Sequence, residues 1–192
     1  MMQDLSKRTP ALATDAADVL DFWFGALTPK QWWSKDPVLD RAIAERFGAL
    51  LERAARCELH AWRRTPHGRL AEVIVLDQFP RNVHRDTPGA FACDPLALAL
   101  AQEAVARGDD AALSPTERIF LYLPYMHSES AAIQALSVAL YERNGLADNL
   151  DFAQRHKAII DRFGRYPHRN DILGRPSTPE ELAFLKEPGS RF

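Results

Sequence analysis

The chain has 192 residues, of which 46% are hydrophobic and 26% charged, with a formal net charge of −2. That length suits one domain able to bury about 70% of the surface its unfolded form exposes, and the near-neutral charge removes any general attraction to nucleic acid or anionic membrane. Cys57 and Cys93 stand far apart without a C-x-x-C pattern, which excludes a disulfide framework and a zinc knuckle, and no run of about 18 apolar residues exists to span a bilayer.

The elements are written in capping signals. A capping side chain followed by proline satisfies an orphan amide and presets the first helical φ, and Asp36-Pro37, Thr65-Pro66, Asp94-Pro95, Ser114-Pro115 and Thr178-Pro179 all have this form. Glu117 and Glu181, three residues after Ser114 and Thr178, complete capping boxes. Asp15, Ser128 and Asp148 mark further starts, while Gly25, Gly108, Gly145 and Gly164 stand where a left-handed residue would end a helix. Between these marks apolar residues recur at helical spacing, as in Leu39, Ile43, Phe47, Leu50, Leu51 and Ala54. The β-rich run EVIVLDQF at 72–79 follows a helix cap and reads as a buried helix.

Eight helices are expected, at 15–25, 37–64, 66–78, 95–107, 115–126, 129–143, 149–163 and 179–186. They predict one all-α domain over 1–192, preceded by a loose segment at 1–14, in an antiparallel α-α helical array. The cap pairs Asp94 and Ser128, and Ser114 and Asp148, are each 34 residues apart, the period of a tetratricopeptide hairpin. The consensus residues of that repeat are not met, so the expectation is an array rather than true repeats.

In such an array alternate helix ends share one end of the molecule. The loops FWFG at 22–25, DQFPRNVHRD at 77–86, LPYMHSE at 123–129 and RYPHRND at 165–171 all fall there, and three of them set a proline beside an aromatic or apolar residue, followed by Arg, His, Asn or Glu. Guanidinium forks match carboxylate and phosphate oxygens, so this end is the candidate site for an anionic small molecule. Its candidate ligand-binding residues are Asp77, Arg81, Asn82, Arg165, Arg169, Asn170 and Arg175. Its candidate acid–base groups are His127 with Glu129, or His168 with Asp77. Two other readings stand beside it: the same residues are cations that offset helix dipoles and lock loops together, or the chain is an adaptor that binds a protein partner along the concave face of the array, with these motifs purely structural.

Weaker signals point to packing. The HSE at 127–129 lacks the P-C-x-x-C partner of a zinc deaminase, and no metal site is expected from the histidines. Trp23, Trp32, Trp33 and Trp62 read as core, and the two cysteines as inert small hydrophobes. No Gly-rich phosphate loop is present, and no cofactor can be named. The first twenty residues lack the apolar core of a signal peptide, so a cytoplasmic protein without nucleic-acid or membrane partners is expected.

VLDFWFG at 19–25, WWSKD at 32–36, LDQFPRN at 76–82, LYLPYMHSE at 121–129 and FGRYPHRNDILGR at 163–175, followed by STPEE, together resemble the bacterial domain-of-unknown-function family numbered 924. The resemblance covers nearly the whole chain and implies an all-helical, tetratricopeptide-like fold. It carries no catalytic residue over.

Overall fold

The computed structural model describes residues 12–190. Nine α-helices occur among them: α1 (Thr14–Leu20), α2 (Pro37–Ala55), α3 (Pro66–Asp77), α4 (Phe79–Val83), α5 (Asp94–Ala106), α6 (Pro115–Met126), α7 (Ala131–Asn144), α8 (Ala147–Phe163) and α9 (Pro179–Phe184). No strand is found among the described residues, and the fold is all-α. The expected loose segment at 1–14 lies outside the described residues up to position 11, and α1 begins at Thr14.

Four of the five cap-proline signals act as expected. Asp36 accepts from the Val38 and Leu39 amides, Thr65 accepts from Gly68, and Ser114 and Thr178 form complete capping boxes with Glu117 and Glu181. Asp94 departs from the pattern: it is the first residue of α5 and caps nothing, because arginines from other elements take its carboxylate. Gly108, Gly145 and Gly164 are left-handed, with φ of 74°, 79° and 68°, and follow their helices as residues free of Cβ strain. Gly25 instead lies within a π-helical turn, Asp21–Ala26, that prolongs α1.

Boundaries shift where tertiary contacts intervene. The helix expected over 37–64 stops at Ala55, since Cys57 turns left-handed with φ 60° and a 3-10 turn, His60–Arg64, follows. Cys57 is thereby exposed rather than packed as a small hydrophobe. The helices after α4 begin at Asp94, Pro115, Ala131 and Ala147, so the starts do not keep the 34-residue spacing.

The centre of the fold is α3. Every residue from Gly68 to Asp77 is buried, and α1, α2, α4, α5 and α6 all pack on it. That enclosure explains why EVIVLDQF lacks a polar stripe: a helix covered on all sides has no solvated face. Around it Trp23 packs edge-on to Phe120 at 5.5 Å and tilted to Phe79 at 5.8 Å. Trp62 is also buried, whereas Trp33 is 57% exposed and only stacks on Phe120. Gly68 is required where α3 meets the turn before it, because a Cβ there would lie 2.1 Å from the Trp62 carbonyl oxygen. Gly68→Ala is expected to cost about 1–3 kcal/mol through the backbone shift it forces, measured by urea denaturation.

Candidate functional site

The sequence-predicted residues fall into one central cluster and three peripheral clamps. The cluster forms where the C-terminal ends of α3 and α6, the N-terminus of α5, the short helix α4 and the 3-10 turn Pro167–Arg169 come together. Asp77, the last residue of α3, is fully buried. Its Oδ1 lies 2.8 Å from His127 Nδ1, and its Oδ2 accepts from the Gln78 amide at 2.6 Å. Arg81, one turn further along, donates to the Asp77 carbonyl oxygen at 2.5 Å and reaches both oxygens of Asp94 at 2.9 and 3.0 Å.

Electrostatics fix the protonation of this pair. Burial alone would raise the Asp77 carboxyl, but the neighbouring His127 and Arg81 and the Gln78 amide hold it below the usual carboxylate range. Burial depresses the His127 imidazole, Arg81 adds to that shift and Asp77 opposes it. At neutral pH the pair is a carboxylate and a neutral ring. An ionised carboxylate only accepts, so His127 carries its proton on Nδ1 and its lone pair on Nε2.

Arg169 completes the cluster and is poorly satisfied. It is 7% exposed, and its guanidinium carbon lies 4.6 Å from the ring centroids of both Phe91 and Tyr166. Among the described residues, its five N–H donors make one hydrogen bond, from Nη1 to Asp94 Oδ2 at 3.3 Å, and its buried Nε has no hydrogen-bond partner. Burial pushes its guanidinium below the ordinary value, with Asp94 opposing and Arg81 reinforcing the shift.

The clamps are different, because their arginines fork onto carboxylates. Arg175 makes a fork to Glu129 at 2.6 and 2.9 Å and also donates to Asn170 Oδ1 at 3.0 Å, while the Tyr166 amide donates to the same Glu129 at 2.8 Å. Arg165 forks onto Glu181 at 2.7 and 2.9 Å and reaches the Pro176 carbonyl. Asn82 and Arg85 share Asp40, which ties α4 to α2. His127 therefore pairs with Asp77 rather than with Glu129, which is committed to Arg175. His168 lies against the Tyr166 ring at 5.5 Å, and Asp77, the carboxylate named for it, is held instead by His127 and Gln78. Asn170 is fully buried and donates to Ser177.

Reading the sequence alone missed Asp94, Gln78, Phe91 and Tyr166 as members of the network. Asp94 carried a signal, a carboxylate before proline, but Asp36-Pro37, a true helix cap, shows the same local pattern. Gln134 was missed as well: its buried amide reaches the Met126 and Ser128 carbonyls and the Tyr166 hydroxyl, fixing the end of α6 that presents His127. Among the described residues no three His, Cys, Asp or Glu side chains converge as a metal would need.

These features define an all-α protein that carries a buried arginine, carboxylate and histidine network at the meeting of several helix ends. The chain belongs to the family described as bacterial protein of unknown function, DUF924, whose model matches residues 19–189. The solved structure of a protein of unknown function from Agrobacterium tumefaciens is similar throughout, with 44% identity and a TM-score of 0.85, covering 89% of this chain and 96% of that one. Comparison with curated proteins returns no match. No helix among the described residues is long and apolar enough to cross a membrane.

Proposed function

We propose that the chain binds a small anionic molecule, a carboxylate by first preference, at the cluster of Arg81, His127 and Arg169. The observation that carries this reading is Arg169, a guanidinium with 7% exposure and a single 3.3 Å hydrogen bond. A buried donor left unmet costs about 1–3 kcal/mol, more when charged, and a fold that needed Arg169 only as a clamp would fork it onto a carboxylate, as it does Arg165 and Arg175. Two aromatic rings lie 4.6 Å from the guanidinium carbon, and the planar fork of the guanidinium matches a planar carboxylate. Arg81, whose charge adds to the burial that depresses His127, favours the same charge. Asn82, Arg165, Asn170 and Arg175 then frame the site rather than touch the ligand. The adaptor reading has no comparable support, since the large exposed apolar side chains, Trp33, Val38, Leu136, Phe152 and Leu182, are spread over separate elements.

Arg169→Leu separates a site from a lock. Replacing an incompletely paired buried charge with an apolar side chain is often neutral or stabilising, so the variant is expected to match or exceed the wild-type Tm. Wild type should be stabilised by succinate or phosphate, by about 2.7 kcal/mol at a concentration 100 times Kd, and the variant by neither. A variant that melts several degrees lower, with no anion shifting wild type, would show that Arg169 is a lock.

A further inference from the structure

The cluster contains more than binding needs. Binding an anion calls for donors, yet a buried carboxylate here holds one ring nitrogen of a histidine. Asp77 is held at both oxygens, by His127 Nδ1 at 2.8 Å and by Gln78 at 2.6 Å, so the imidazole plane and tautomer are set from behind. The side chain of His127 is 14% exposed, and no protein hydrogen bond reaches its Nε2 among the described residues. The lone pair lies on the side of the ring away from Asp77, while Arg169 Nε stays unused in the same network among the described residues. No serine, threonine or cysteine side chain hydrogen-bonds His127 among the described residues, so the partner that suits Nε2 is a water molecule rather than a protein nucleophile.

We propose that the protein is a hydrolase in which His127 Nε2 is the general base that draws a proton from water attacking an ester in a small carboxylate-bearing substrate. This rests on the binding reading above, because Arg169 holds the substrate's carboxylate. The water oxygen bonds to the ester carbonyl carbon as its proton passes to Nε2, and Asp77 stabilises the imidazolium that forms. When the tetrahedral intermediate collapses, the bond to the alcohol oxygen breaks and the imidazolium returns that proton to it. The products are an alcohol and an acid that ionises into solvent, and the enzyme regains a neutral ring. The groups acting on the imidazole are Asp77 of α3, Arg81 of α4, Asp94 of α5 and His156 of α8. Together with burial they leave it neutral, and therefore able to accept a proton, at neutral pH.

The test uses the full chain, with mono-4-nitrophenyl succinate as probe substrate and nitrogen-15 NMR of the histidine rings as a readout independent of turnover. The expected result is a neutral His127 with its proton on Nδ1 at pH 7, and a switch of that proton to Nε2 in Asp77→Asn. Release of 4-nitrophenolate should be saturable and drop at least about 100-fold in His127→Gln. The wild-type rate should fall on acidification with the same midpoint as the His127 titration, a measurement that stands even if a variant fails to fold. A proton on Nε2 in the wild type, equal rates in wild type and His127→Gln, or a rate without that acid limb would each overturn the base. Succinate stabilisation, abolished by Arg169→Leu, is read separately: if it persists while turnover is absent, hydrolysis fails and binding stands. If it is absent as well, the binding reading falls too.

Discussion

Asp94→Ala is expected to destabilise the protein by about 3–5 kcal/mol, measured by chemical denaturation at neutral pH. Asp94 sits at the start of α5 with its side chain 16% exposed and is shared by two guanidinium groups, Arg81 at 2.9 and 3.0 Å and Arg169 at 3.3 Å. Removing it leaves two largely buried cations, Arg169 without its ion-pair carboxylate and Arg81 with Asp77 at 3.6 Å as its remaining carboxylate among the described residues, and they repel each other in a poorly solvated space. Removing a partner from an exposed pair should do far less. Asp86→Ala breaks the contact with Lys35, whose side chains are 66% and 67% exposed, and should cost under about 1 kcal/mol. Equal, small losses in the two variants would show that water reaches the cluster freely.

The second large effect is on acid stability. His156 is 6% exposed, and its Nδ1 lies 2.7 Å from the Phe152 carbonyl oxygen. Burial depresses its imidazole to about 3, against the opposing pull of that hydrogen bond. In the unfolded chain the ring titrates near about 6.5, so between the two values the unfolded state binds the extra proton. The stability contributed by the neutral ring is full above about pH 6.5 and is lost as pH falls toward the folded value. At pH 4.5 the loss should be about 2–3 kcal/mol relative to pH 7.5. His156→Gln should flatten that slope by close to one proton. His127 acts in the same sense, and Asp77, held low in the fold, adds a further loss only below about pH 4. An unchanged slope in the variant would mean that His156 is protonated without opening the fold.

The candidate site was legible only in outline. Four sequence-distant loops carried the same unusual mixture of residues, and the structure brings Asp77, Arg81, His127 and Arg169 from three of them into one network. Which histidine meets which carboxylate was not legible. Glu129 lies two positions from His127 and looked like its partner, yet the chain turns between them and Glu129 faces Arg175. Nor could the sequence distinguish an arginine forked onto a carboxylate from one that is not. Arg165 and Arg169 stand four positions apart in similar surroundings, and only their tertiary partners separate them.

What the amino-acid order determines here is local. Ser114 with Glu117 and Thr178 with Glu181 set helix starts because a capping side chain acts on amides within three residues, and Gly108, Gly145 and Gly164 set ends because only their own φ is at stake. The all-α class and the burial of α3 follow from such signals and from the density of apolar residues. Asp94 marks the boundary. Locally it resembles every other cap, but arginines 13 and 75 residues away compete for its carboxylate and win, because a charge-assisted fork outweighs one hydrogen bond to an amide that water can otherwise satisfy. The tautomer of His127, the unused donors of Arg169 and the pairing of Asp77 all depend on side chains far apart in the chain. Only the packed structure, by excluding water from between them, decides them.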